Sequence, residues 1–179
     1  MSGIQKKYIG LLGGSFDPAH KGHLAISKIA IKKLKLKKIY WVVTKKNPFK
    51  NKAFFSLDER VKYANKISRT HKKIQAIHLD NILKSSRTID VINYFIKKKN
   101  IRNIYFLIGS DNLIRFHKWK SWKKIVKLVN LIVFSRKGYD RKGMKSTVVK
   151  NFKNKIIFIK NKPFVISSTH LKSRKKLKY

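Results

Sequence analysis

The sequence predicts an open, doubly wound α/β fold, a parallel sheet with helices on both faces. Three observations predict it. Short apolar runs alternate with amphipathic stretches along the chain, the pattern of repeated strand-helix units. The apolar runs are continuous rather than alternating, as in strands covered on both sides. The first run stops at Gly13-Gly14 and passes into a helical pattern, so the chain turns sharply at a strand's carboxyl end.

The elements follow in order. Residues 7–12 form the first strand. From His23, the residues Leu24, Ile26, Ile29, Ala30 and Ile31 recur at helical spacing, with Lys28, Lys32, Lys33 and Lys35 opposite. Residues 39–43 are a second strand, and residues 44–55, with Asn47-Pro48 among them, a loop. Ser56 and Glu59 form a capping box that opens a helix toward Thr70. A weak strand at 74–79, a loop at 81–87 and a helix at 88–98 come next. Then come a strand at 103–108 ending at Gly109, a helix at 121–129, a strand at 130–135, a loop at 137–145, a strand at 155–159 and a basic helix from Ser167. No repeat, linker or boundary interrupts the series, so residues 1–179 read as one domain. Sheets of this kind bind ligands at the carboxyl ends of their strands, and the loops there are where chemistry is expected.

Composition narrows the function. A hydrophobic fraction of 42% with 12% aromatics supplies a packed core and excludes a disordered or collagen-like chain. With no cysteine, disulfide frameworks, thiolate zinc sites, iron-sulfur clusters and cysteine nucleophiles are excluded. The 46 Lys+Arg against 7 Asp+Glu give +39, which points to anionic partners. Nucleic acid is one such partner, through counterion release. The lysines are scattered through every segment among many Ile and Asn, the pattern of adenine-rich coding, and this even scatter argues against a dedicated nucleic-acid surface. Residues 1–7 are too short and polar for a signal peptide, and no apolar stretch reaches the ~20 residues of a bilayer span. A cytoplasmic protein with no membrane association is expected.

The segment after the first strand reads Gly13-Gly14-Ser15-Phe16-Asp17-Pro18-Ala19-His20-Lys21-Gly22-His23. Glycines let the backbone approach a bulky anion, and the following helix presents unpaired N–H groups, so this is phosphate chemistry. It is neither the G-x-G-x-x-G fingerprint nor a Walker loop. His20 and His23 stand where a phosphate would accept hydrogen bonds from both. Zinc would need further ligands that the loop supplies only as Asp17, so no protein-held metal is expected. Of the other carboxylates, Asp58 and Glu59 suit a helix's first turn, Asp80 and Asp90 suit capping and loop roles, and Asp140 reads as a solvated loop residue. Asp111, just past a strand end, is placed for a nucleotide contact. Trp41 reads as core and Trp122 as packing inward, while Trp119, among His117, Lys118 and Lys120, reads as a stacking platform.

The run G-G-S-F-D-P-x-H-x-G-H resembles the signature of the HxGH nucleotidyltransferase superfamily, in its nicotinate-nucleotide adenylyltransferase branch. Similar segments follow in the family's order: Asn47-Pro48-Phe49-Lys50, Leu57 to Arg60, Ser86-Arg87-Thr88, Phe106 to Leu113, Phe116 to Trp119, Leu131 to Tyr139, and Ile166 to Lys172. The resemblance implies a Rossmann-like fold and an enzyme that joins ATP to nicotinate mononucleotide, giving nicotinate adenine dinucleotide and pyrophosphate, with Mg2+ accompanying ATP. It implies that His20 and His23 hold the α- and β-phosphates. Gly13, Gly14, Ser15, Phe16, Gly109 and Asp111 would bind ATP, with Ser167, Ser168, Thr169 and Lys172 at its outer phosphates. Asn47, Lys50, Arg87, Thr88 and Trp119 would form the mononucleotide site. The chain departs from the family pattern at Arg87, usually Tyr, at Lys120, usually Tyr, and at Lys172, usually Arg, with Arg174 nearby. An inward-pointing Arg87 would pair with the nicotinate carboxylate. The chain ends soon after Leu171, where the family pattern runs on, so the last helix is expected to be less well buried and the oligomeric state stays open. The rivals are transfer to the amide mononucleotide or to phosphopantetheine, transfer from a cytidylyl donor on the same fold, and, more distantly, a basic nucleic-acid-binding module.

Overall fold

The computed structural model describes residues 8–46 and 53–161. The expectations for Asn47, Lys50, Ser167, Ser168, Thr169, Lys172, Arg174 and the final basic helix lie outside the described residues. The strands are β1 (Ile9–Gly14), β2 (Lys38–Val43), β3 (Ile74–Ile77), β4 (Ile104–Gly109), β5 (Asn130–Phe134) and β6 (Ile156–Ile159). The helices are α1 (Lys21–Leu34), α2 (Leu57–Ser68), α3 (Asp80–Leu83), α4 (Thr88–Lys97), α5 (Ser110–Arg115), α6 (Trp122–Leu128), α7 (Asp140–Met144) and α8 (Thr147–Phe152).

All strand pairings are parallel, in the order β3-β2-β1-β4-β5-β6. Leu11 of β1 lies between Tyr40 of β2 and Phe106 of β4. The chain winds outward in one direction from β1 and in the other from β4, so the topological switch point lies between these two strands. The alternation of side chains assigns the two faces. Leu131 and Val133 of β5 pack with Ile92 and Phe95 of α4, Ile125 of α6 and Val148 of α8. Ile132 and Phe134 join Trp41, with Ile26 and Ala30 of α1 and Ala64 of α2, on the other side. Both faces are covered, which is why the strand sequences carry apolar residues at nearly every position. Each large apolar side chain so buried stabilises the fold by about 1.5–3 kcal/mol.

The strand positions and α1, α2, α4 and α6 agree with expectation to within a few residues. Two loop assignments are corrected. The 81–87 loop begins with the short helix α3, whose last residues close onto Leu79. The 137–145 loop contains α7, and α8 follows it. These helices are only 5 and 6 residues long, below the length at which local preference sustains a helix, so packing has to hold them. Gly143 of α7 lies against the Ser110 backbone so closely that a Cβ there would stand 3.1 Å from its carbonyl oxygen, and Val148 of α8 is fully buried.

Candidate active site

The turn between β1 and α1 is built by its own histidines. A helix start leaves backbone N–H groups without partners, and the segment places imidazoles where Ser and Glu would ordinarily cap it. His20 is the N-cap: its Nδ1 accepts the Gly22 N–H at 3.1 Å, and the His20 N–H is donated to His23 Nδ1 at 3.2 Å. This is a capping box made from two imidazoles. With each Nδ1 accepting a backbone proton, the neutral rings carry their hydrogen on Nε2. The rings lie 3.9 Å apart between centroids.

A stack of aromatic groups fixes their height above the sheet. Phe16, at a left-handed φ of 46°, lies 5.4 Å from Trp41 at an interplanar angle of 20° and 4.7 Å from the His23 ring. The Trp41 indole N–H donates to Ser27 Oγ and Ser27 Oγ donates to the His23 carbonyl, each at 2.8 Å. The expected core role of Trp41 holds. Phe16, expected at the ATP surface, is only 2% exposed, and its ring supports His23 from beneath. Gly13 is exposed and Gly14 and Ser15 are half-exposed at the strand's end, open to an anion's approach.

Buried ties hold the neighbouring loops. Asp17, buried, accepts the N–H groups of Phe54 and Phe55, each at 2.9 Å. Its carboxylate secures the loop and is not free to act as a base. Asp80 accepts the Lys45 N–H at 2.7 Å and the Ser86 hydroxyl. Asp90 accepts the Ser85 hydroxyl at 2.7 Å, and Ser85 Oγ accepts the Arg87 N–H at 3.1 Å. The structural roles expected of Asp80 and Asp90 are these. Together they staple the residues before α4, where Thr88 is half-buried and Arg87 is exposed.

Arg60 is the residue that sequence reading missed. It is 2% exposed, and its guanidinium donates to four carbonyls: Phe55 at 3.2 Å, Ser15 and Thr44 at 2.7 Å each, and Lys45 at 3.3 Å. Burial lowers its pKa, while the charges of Asp17 and Asp80 oppose the shift. A signal was present. A cation in the first turn of α2 works against the helix dipole, and the chain has only 8 arginines against 38 lysines.

At the end of β4 a second cluster forms beside the first, since β1 and β4 are paired neighbours. The Asp111 carboxylate folds back over Gly109, where a Cβ would collide with its Oδ1, and lies 3.8 Å from Arg136 Nε. Asp140, expected to be solvated, is instead tied in. It accepts the Ser110 hydroxyl at 2.6 Å and the Arg136 N–H at 3.0 Å. These bonds, Ser110's first, hold its carboxyl below the usual aspartate range. The ionised form therefore stabilises the fold, fully above the unfolded value near pH 4, and the contribution is lost as pH falls through the lowered folded value. In urea titrations Asp140→Asn is expected to be less stable than the parent at neutral pH, with the gap closing below about pH 4. An unchanged gap in acid would contradict the tie.

Trp119 is half-buried, with Phe116 stacked on it at 4.8 Å and the edge of Phe106 at 6.1 Å, and Trp122 packs on Phe152 as expected. Phe116 thus supports the Trp119 ring from one side. Among the described residues no three His, Asp or Glu side chains gather as metal ligands, and no helix is long and apolar enough to cross a membrane.

A parallel sheet in this strand order, with a histidine-capped helix at its switch point, defines a doubly wound α/β protein with a candidate anion site at the ends of its central strands. The cytidylyltransferase-like family model matches residues 11–174. A probable nicotinate-nucleotide adenylyltransferase of Pelagibacter ubique is 49% identical over 169 residues, 94% of this chain and 93% of that protein. One from Bradyrhizobium is 37% identical over 129 residues, covering 72% of this chain and 67% of that protein. The nicotinic acid mononucleotide adenylyltransferase of Plasmodium falciparum, solved with NaAD, aligns with a TM-score of 0.71 at 20% identity, over 93% of this chain and 83% of that one. That last similarity shows the fold. The chain belongs to the cytidylyltransferase-like family and, within it, to the nicotinate-nucleotide adenylyltransferases.

Proposed function

We propose that the protein transfers the adenylyl group of ATP to nicotinate mononucleotide. A phosphate oxygen of the mononucleotide attacks the α-phosphorus of ATP, the bond from that phosphorus to the bridging oxygen breaks, and pyrophosphate leaves carrying the electron pair. The attacking phosphate is already largely ionised at pH 7, so no protein base is required. The work left to the protein is to align the two phosphates and to stabilise charge as it moves onto the leaving group. The observation that carries this reading is the imidazole capping box at the head of α1, which engages Nδ1 of both His20 and His23 and so leaves their ring hydrogens on Nε2, in the turn that follows the exposed Gly13. Gly109 and Asp111 at the end of β4 are assigned to the adenosine, and Thr88 and Trp119 to the nicotinate ring. Mg2+ is assigned to the ATP phosphates and water, since it typically keeps waters and substrate oxygens as ligands and the described residues hold no carboxylate cage. We place the enzyme in the cytoplasm with its substrates, and attribute to its +39 charge only weak, nonspecific attraction to polyanions.

The exposed Arg87 at the start of α4 is assigned to the carboxylate of nicotinate. Pyrophosphate release is measured with ATP and each of nicotinate mononucleotide, its amide and phosphopantetheine. The acid is expected to be the preferred acceptor, and exclusive turnover of phosphopantetheine would overturn the reading. Losing a charge-assisted bond of about 1.5–3 kcal/mol, Arg87→Ala is expected to reduce the acid-over-amide preference by roughly tenfold or more. An unchanged ratio would remove Arg87 from the site while leaving the reaction in place.

A further inference from the structure

We propose that Arg60 is a positioning residue for the transfer, because its guanidinium bonds at once to Ser15 on the phosphate side and to Thr44, Lys45 and Phe55 on both sides of the 47–52 segment, locking the two loops in register. The inference rests on the adenylyl-transfer reading. The hydrogen bonds of the Arg60 guanidinium go to backbone carbonyls and to neither imidazole. It acts through backbone: the Ser15 carbonyl belongs to the turn that leads into His20, while Thr44 also donates its N–H to the Gly14 carbonyl at 3.0 Å. Asp17 ties Phe54 and Phe55 to that same turn, and Asp80 ties Lys45 to the residues before α4. A single planar fork reaching carbonyls 15, 44, 45 and 55 fixes a distance that none of those loops sets alone.

The geometry also says why the residue is arginine. An ammonium is a compact point charge on a flexible stem, whereas the guanidinium presents five N–H donors in a rigid plane. Lysine at this position keeps the charge that faces Asp17 and Asp80 and loses the spread of the fork. A purely structural cation would tolerate that exchange, and a spacer between two loops would not.

The test uses the full chain with Arg60→Lys and Arg60→Ala. Thermal melting establishes folding, and kcat and KM are measured for ATP and for nicotinate mononucleotide at a temperature where each variant is folded. In-line transfer is sensitive to misplacement of about 1 Å, so both variants are expected to lose on the order of a hundredfold in kcat, with smaller changes in KM. Guanidinium at sub-denaturing concentration is expected to restore part of the kcat of Arg60→Ala, and methylammonium to restore none. Folded variants with kcat within about twofold of the parent overturn the proposal, as does a variant whose losses lie in KM alone, since about 0.4 kcal/mol is too little for a lost alignment. Failure of both variants to fold also overturns it, assigning Arg60 to folding alone. If the parent enzyme itself releases no pyrophosphate with this acceptor, it is the functional reading that fails, a result distinct from any of these.

Discussion

Replacing His20 with asparagine and His23 with glutamine is expected to abolish most turnover while leaving the fold intact. The two roles of each imidazole separate chemically. Nδ1 caps the helix and Nε2 carries the hydrogen. Asparagine is among the best N-caps and glutamine serves at the third helical position of a capping box, so both substitutions keep the backbone bonds. Neither reproduces the Nε2 donor at its distance from the backbone. A donor aimed at developing charge is worth about 3 kcal/mol, so each substitution is expected to cost on the order of a hundredfold or more in kcat. Alanine at either position is expected to cost as much in rate and, in addition, about 1 kcal/mol in stability for the lost cap. Kinetics paired with urea unfolding checks both halves. Near-parental kcat in the His20→Asn and His23→Gln variants would show that these histidines only cap.

Asp17→Ala is expected to have the second largest effect, and chiefly on stability. Its carboxylate takes two backbone N–H groups, from Phe54 and from the buried Phe55. Bonds to a charged acceptor contribute about 1.5–3 kcal/mol each, so the loss is expected to be roughly 3 kcal/mol or more. Turnover should fall with it, because the released loop is the one Arg60 also holds at Phe55. Asp17→Asn, retaining one carbonyl acceptor, should fall between. The pH dependence of kcat separates this from a proton-transfer role. The profile of Asp17→Asn is expected to keep the parental shape at lower amplitude, whereas loss of one limb at unchanged stability would identify Asp17 as the base.

Four of the carboxylates share a role. Asp17, Asp80 and Asp140 follow β1, β3 and β5 within a few residues, Asp90 lies in the first turn of α4, and all four accept bonds from N–H or hydroxyl groups of neighbouring segments. Turned toward those donors, they brace the loops of an anion site, and the donors offset the repulsion they would otherwise exert on bound phosphate.

What was legible in the sequence is what local chemistry determines. The capping box at Ser56 and Glu59 forms as written, with Ser56 Oγ accepting the Glu59 N–H at 3.3 Å. The glycine bend and its two histidines form a single local motif. Continuous apolar runs marked the strands because both faces of the sheet are covered. The unread features depend on distant partners. Arg60 meets Ser15 across 45 residues and Asp140 meets Ser110 across 30, so neither partner is set by the residues nearby. Helices α7 and α8 carry glycine and lysine with little apolar periodicity, and α8 is held through Val148. Phe16 was placed at the ligand surface by its motif, whereas its ring is drawn into the core by Trp41.

The most direct measurement is a crystal structure of the protein with nicotinate adenine dinucleotide. The dinucleotide's phosphates are expected within hydrogen-bond distance of Nε2 on both His20 and His23, beside the Gly13-Gly14 backbone. A dinucleotide seated elsewhere, with those two nitrogens facing only water, would contradict that expectation.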